Sequence, residues 1–145
     1  MNHRGYFGIG IYQPKHHENV GTLWRSAFQL GASFIFTIGK RHKKQASDTV
    51  KAFKHIPLYE YGSIEDLKMP YDCQLIAVEF GEGSRDIQKF AHPEKAIYLL
   101  GAEDHGLPPS ALKKCQYMIS LPSIRTPSYN VAVAGSIVMY DRLIK

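Results

Sequence analysis

The chain has 145 residues, enough for one ordinary domain with a sizeable core. Hydrophobic residues make up 44% and charged residues 21%, which excludes a disordered tail, and no apolar run approaches the ~20 residues that span a bilayer. The formal net charge of +5 favours a polyanionic partner, because each neutralised phosphate releases condensed counterions.

Residues 1–5 lead into a strand-like segment with no apolar leader before it. Cys73 and Cys115 lie far apart, with neither metal-type spacing nor a disulfide framework, so a reduced, cytoplasmic setting is expected. Residues 6–12 (YFGIGIY) are rich in β-branched and aromatic side chains and read as a strand. In 19–30, Val20, Leu23, Trp24, Ala27, Phe28 and Leu30 form an apolar stripe at helical spacing that stops at Gly31. Residues 33–38 (SFIFTI) read as a second strand. A run of Lys40, Arg41, His42, Lys43 and Lys44 follows, with Lys51 and Lys54 close behind. It reads equally as a solvated loop or as a phosphate-binding patch. A short strand is expected around 55–59, and a brief helix over 63–67 capped by Ser63.

Residues 74–79 (QLIAVE) read as a strand, and 86–90 as a short helix. Residues 96–100 (AIYLL) are nearly all apolar, as expected of a strand covered on both faces. A helix with proline in its first turn is expected over 108–114, a last strand over 117–121 and a closing helix over 129–144. Strands alternating with helices imply an α/β layer with a mainly parallel sheet. No linker, internal repeat or low-complexity stretch divides residues 1–145, so a single domain without a separate RNA-binding extension is expected.

Ligands of open α/β sheets bind beyond the carboxyl ends of the strands. Three segments fall there: the turn into the first helix with Asn19, Gly21 and Arg25; the segment from Leu100 to Leu107; and the link from Leu121 to Asn130. Gly101 and Gly106 mark backbone that turns sharply or lies close to a ligand. Ser128 and Asn130 fall where side-chain oxygens cap a helix, and one of the pair would remain for a ligand. Gly135 costs the last helix roughly 1 kcal/mol relative to Ala, which a close contact with a ligand or partner helix would offset. His16 and His17 are adjacent and cannot share a helix face as paired ligands, so no metal is expected. Trp24 and the tyrosines are candidates for stacking on bases, but the place of Trp24 on the apolar stripe favours packing.

The segments Asn19-Val20-Gly21-Thr22-Leu23-Trp24-Arg25, Gly101-Ala102-Glu103-Asp104-His105-Gly106-Leu107, and Leu121-Pro122 through Ser128-Tyr129-Asn130-Val131 resemble the three motifs of the TrmH (SpoU) family. That family is a branch of the SPOUT RNA methyltransferases. The motifs stand in the family's order, and the resemblance covers nearly the whole chain. It departs from the family at Tyr129, where leucine is usual, at Asp104, often a small residue, and in a shorter loop between Pro122 and Ser128. The resemblance implies an α/β fold with a deep C-terminal trefoil knot, a homodimer, and S-adenosylmethionine as cofactor.

It also implies roles. Arg25, Asn19, Glu103, Ser128 and Asn130 would be catalytic. Leu100, Gly101, Glu103, Leu121, Ser128, Asn130, Val131 and Val133 would hold the cofactor. Arg25, Lys40, Arg41, Lys43, Lys44 and Arg125 would bind RNA. The expected reaction methylates a ribose 2′-hydroxyl of RNA, with tRNA the first choice and rRNA the second. Arginine is a poor base, so Arg25 would stabilise a forming alkoxide or hold phosphate rather than act as base. The competing readings are a catalytically silent RNA-binding or assembly factor with the same fold, and an enzyme methylating a base.

Overall fold

The computed structural model describes residues 5–39, 55–102 and 104–145. The first expected strand forms as β1 (Tyr6–Tyr12). Phe7, Ile9 and Ile11 point to one face of the sheet, where they join the larger core cluster. Gly8 and Gly10 lie between them and serve the opposite face. A Cβ at Gly8 would come within 2.3 Å of the Phe34 ring, and one at Gly10 within 2.4 Å of the Phe36 ring. The missing side chains of β1 are therefore the space into which the rings of β2 (Phe34–Ile38) pack.

Helix α1 (His17–Leu30) begins earlier than the apolar stripe implies, because its first turn carries no buried side chain before Val20. It ends at Gly31, whose φ of 92° is left-handed and whose N–H bonds the Ala27 carbonyl. Strand β3 (Leu58–Tyr61) falls later than expected. Pro57 has no N–H for a ladder, and its carbonyl instead accepts from Ile35 N at 3.0 Å, so pairing with β2 starts at Leu58. The short helices expected over 63–67 and 86–90 are single 3₁₀ turns, Ile64–Asp66 and Ile87–Lys89. A further 3₁₀ turn, Pro70–Asp72, has no counterpart in the sequence expectation.

The remaining strands are β4 (Gln74–Val78), β5 (Arg85–Asp86), β6 (Lys95–Leu100) and β7 (Tyr117–Ser120). Together they make a seven-stranded sheet in the order β3-β2-β1-β6-β4-β7-β5. Every pairing is parallel. Ala96, Tyr98 and Leu100 of β6 face one cluster, while Ile97 and Leu99 face the other, which is why that strand is apolar throughout. Helices α1 and α3 (Val131–Ile144) cover the first face. The turn at Ile64 and the short α2 (Pro109–Leu112) cover the second.

Helix α3 is fixed at both ends. Near its middle, a Cβ on Gly135 would lie 2.5 Å from Leu23 Cδ1 and 2.9 Å from Leu100 Cδ1. The close contact expected of Gly135 is thus with the protein's own α1 and β6, not with a ligand. At its carboxyl end, His92 Nε2 lies 2.6 Å from Asp141 Oδ2 and His92 Nδ1 lies 2.7 Å from the Tyr98 hydroxyl. Arg142 donates to that hydroxyl at 3.1 Å and to the Pro93 carbonyl at 2.7 Å, while Lys145 Nζ sits 2.8 Å from Asp141.

Candidate functional site

A cleft of about 580 Å³ opens at the carboxyl ends of β4 and β6, within the size range of small-molecule sites. One wall is Val78, Glu79 and Phe80, where β4 runs out. A second is the loop that leaves β6 at Leu100. The third is the segment that enters α3, with Leu121, Ser128, Tyr129 and Val131. In the strand order, β1 lies beside β6, with β2 and β3 on one side and β4 and β7 on the other. The cleft therefore lies near the point where the winding of the sheet reverses, as in other open α/β sheets.

The loop after β6 folds back on itself. Gly106 N–H bonds the Ala102 carbonyl at 2.8 Å, and the two residues form an antiparallel bridge. Gly106 has a φ of 65°, and a Cβ on Gly101 would lie 2.7 Å from the Gly106 carbonyl carbon. Both glycines are thus demanded by the tight crossing of this loop. Glu79 holds the loop from outside. Its Oε2 accepts the Leu107 N–H at 2.9 Å and its Oε1 faces Phe80 N at 3.3 Å. Glu79 is a site residue that sequence reasoning missed. Its signal was an acidic residue closing an otherwise apolar strand at the ligand-binding end.

Asn130 is the true cap of α3. Its Oδ1 accepts from Ala132 N at 3.0 Å and Val133 N at 3.1 Å. Its Nδ2 donates to Asn19 Oδ1 at 3.1 Å, joining the first turn of α1 to the start of α3. Ser128 does not cap. It lies in the loop before the helix, lines the cleft, and its N–H donates to Thr126 Oγ1 at 3.3 Å. The Tyr129 hydroxyl donates to the Pro122 carbonyl and closes that loop. At the rim, Asp104 lies 3.8 Å from Lys15 and 3.4 Å from His105.

Of the expected cofactor residues, Leu100, Gly101, Leu121, Ser128 and Val131 line the cleft. Asn130 and Val133 do not. The amide of Asn130 serves the cap and the Asn19 bridge. Val133, two residues beyond Val131, is turned about 200° around the helix and is 48% exposed. The structure joins Asn19 to Asn130 but leaves Arg25 exposed on α1, outside the cleft lining. Arg125 is exposed in the loop before α3. Glu103 and the expected RNA-binding residues Lys40, Arg41, Lys43 and Lys44 lie outside the described residues. The Trp24 indole donates to the Ile56 carbonyl at 3.0 Å, so this ring packs α1 against the segment before β3.

Residues 7–140 match the SpoU rRNA Methylase family. A curated relative, the 23S rRNA (guanosine-2'-O-)-methyltransferase RlmB of Acinetobacter baylyi, is 22% identical over 92% of this chain and 57% of its own length. The chain therefore spans little more than half of that relative. Among solved structures, the SpoU methyltransferase AviRb of Streptomyces viridochromogenes in complex with AdoMet superposes with a TM-score of 0.84 at 21% identity, covering 97% of this chain and 60% of that one. A structure presented as insights into the 2-OH methylation of C/U34 on tRNA gives a TM-score of 0.81 at 22% identity, covering 97% and 95%. These likenesses place the seven-stranded α/β fold among those of SpoU methyltransferases.

Proposed function

The chain belongs to the SpoU rRNA methylase family, and from that membership we propose that it methylates a ribose 2′-hydroxyl of RNA with S-adenosylmethionine as methyl donor. We take tRNA as the first substrate class and rRNA as the second, since a basic chain of this size suits a compact folded RNA. The observation that carries the reading is the cleft itself, walled by two of the three motif segments at the ligand-binding end of a parallel sheet. The third segment is tied to it through the bond between Asn19 and Asn130.

The residues present suit the cofactor. Leu100, Leu107, Leu121 and Val131 offer an apolar bed for an adenine ring, and the backbone of the Gly101 loop offers donors and acceptors at its edge. Ser128 and Glu79 add polar side-chain groups at the walls. When bound, the cofactor supplies an activated methyl group on a sulfonium. The protein's share is placement: the three walls hold the donor, and the Asn19–Asn130 bridge fixes the two helix starts relative to each other. A guanidinium has N–H donors and no acceptor, so the role of Arg25 is to hold an RNA phosphate and stabilise the oxygen as negative charge forms on it.

Because Arg25 lies outside the lining of its own cleft, the reading includes a homodimer in which a second copy brings an arginine to each site. The outward side of α3 supports it. Val133, Tyr140 and Ile144 are 48%, 56% and 57% exposed and, with Ile137, repeat at helical spacing along one side of the helix. The reading also includes the family's C-terminal trefoil knot, a cytoplasmic location, and RNA contacts from Arg125 and from the basic run at 40–44.

Calorimetric titration with S-adenosylmethionine tests the cofactor step. Saturable binding is expected for the unaltered protein. Gly101→Ala, which drives a Cβ into the Gly106 backbone, is expected to abolish it. Alkaline cleavage of RNA treated with protein and cofactor tests the atom, since only ribose methylation blocks cleavage at the modified position. RNA binding without cofactor binding would instead favour a catalytically silent RNA-binding factor.

A further inference from the structure

The charge of the cleft is one-sided. Among the described lining residues, Glu79 and Asp104 are the carboxylates and no Lys or Arg is present. The two carboxylates differ in their surroundings. Asp104 sits at the rim with Lys15 and His105 beside it at 3.8 and 3.4 Å. Glu79 meets only backbone N–H groups, those of Leu107 at 2.9 Å and Phe80 at 3.3 Å, and has no cation within ion-pair distance among the described residues. Holding the loop needs an acceptor oxygen. It does not need a charge, because glutamine would still accept the Leu107 N–H, through a weaker neutral bond. A carboxylate at the wall of a partly enclosed cleft, neutralised by no side chain among the described residues, sets a negative potential that a positively charged ligand would satisfy.

We propose that Glu79 is a specificity-determining residue of the cleft, favouring a ligand that carries positive charge at its centre over an otherwise identical neutral one. Resting on the cofactor reading above, this means the sulfonium of S-adenosylmethionine is favoured relative to the neutral thioether of S-adenosylhomocysteine. Loss of the charge on methyl transfer then weakens the hold of the cleft on the spent cofactor. One oxygen of Glu79 fixes the loop, and the net charge of the group discriminates between the two forms.

The test is calorimetric titration of both ligands into the full chain and into Glu79→Gln, with thermal unfolding of each protein alongside. Glutamine keeps the acceptor for Leu107 and removes the charge. The dissociation constant for S-adenosylmethionine is expected to rise about five- to tenfold, while that for S-adenosylhomocysteine moves far less. Glu79→Asp keeps the charge and shortens its reach, so it weakens both ligands while preserving their ratio. Equal weakening of both ligands by Glu79→Gln would make Glu79 a loop anchor only and overturn the inference, as would no change in either. Binding of neither ligand to the unaltered protein would overturn the cofactor reading itself and this inference with it.

Discussion

Asn130 and Ser128 stand two residues apart and do different work. The Asn130 side chain accepts two backbone N–H groups at the start of α3 and donates to Asn19. Asn130→Ala is therefore expected to lower stability by about 1 kcal/mol, the usual cost of a lost cap, measured by urea unfolding. A double-mutant cycle with Asn19→Ala isolates the bridge between them and is expected to give a coupling of about 0.5 kcal/mol, small because the bond is exposed. Ser128→Ala is expected to leave unfolding within about 0.5 kcal/mol, since this side chain caps nothing. Its effect belongs in the titration with S-adenosylmethionine, because Ser128 lines the cleft. A stability loss for Ser128→Ala as large as that for Asn130→Ala would contradict the division. The helical pattern alone could not make it, because two polar residues before an apolar run are equally good caps until the backbone chooses one.

At the scale of elements, α3 depends on a bare backbone near its middle and on a polar clasp at its end. Leu23 and Leu100 are fully buried, so neither can swing away from a side chain placed at Gly135. Gly135→Val is expected to cost about 2 kcal/mol by overpacking. Gly135→Ala should cost less, because the gain in helix propensity, about 1 kcal/mol, offsets part of the strain. The clasp makes stability depend on pH. The His92 side chain is 5% exposed, with Nε2 beside the Asp141 carboxylate and Nδ1 beside the Tyr98 hydroxyl; because Arg142 already donates to that hydroxyl, the neutral ring protonated at Nε2 satisfies both contacts. Burial lowers its pKa, and the opposing pull of Asp141 does not reverse this. The same burial pushes the Tyr98 hydroxyl up to about 12, which keeps it a donor. A depressed histidine pKa favours the native state above the unfolded value of ~6.5, and that contribution is lost as pH falls toward the folded value. Melting temperature is thus expected to fall between pH 7.5 and pH 5, and to fall less in His92→Asn. An equal fall in both proteins would assign the acid sensitivity to other groups.

For the whole molecule, the proposed dimer makes a prediction that no single chain can satisfy. Arg25 lies outside the cleft lining of its own chain, whereas Gly101 shapes that lining. Arg25→Ala and Gly101→Ala proteins are each expected to be inactive alone. Unfolded together, mixed in equal amounts and refolded, they are expected to recover about a quarter of the normal activity, because half of the dimers are mixed and each carries one intact site. No recovery would mean that each chain supplies its own arginine. The net charge of +5 leads to the further expectation that RNA affinity falls steeply with added salt, read as the slope of log affinity against log salt concentration.

The sequence by itself determined the class of fold and which loop segments meet at one end of the sheet. Strands at 6–12, 74–79 and 96–100 announced themselves through short stretches rich in apolar, β-branched and aromatic side chains, and α1 through its stripe and terminal glycine, because these patterns are local in the chain. The motif segments were legible for the same reason that the cleft exists: parallel strands place their following loops at one end of the sheet. The tertiary structure alone decided the strand order and the two-residue β5, which is too short to leave a periodic trace. It also decided the purpose of the glycines: Gly8 and Gly10 admit the rings of β2, Gly135 admits Leu23 and Leu100, and Gly101 and Gly106 let one loop cross itself. It revealed Glu79 as the anchor of that loop and showed that Val133 turns away from the cleft. Each of these depends on contacts between residues remote in the chain, and side-chain alternation carries no record of which remote neighbour fills a given space.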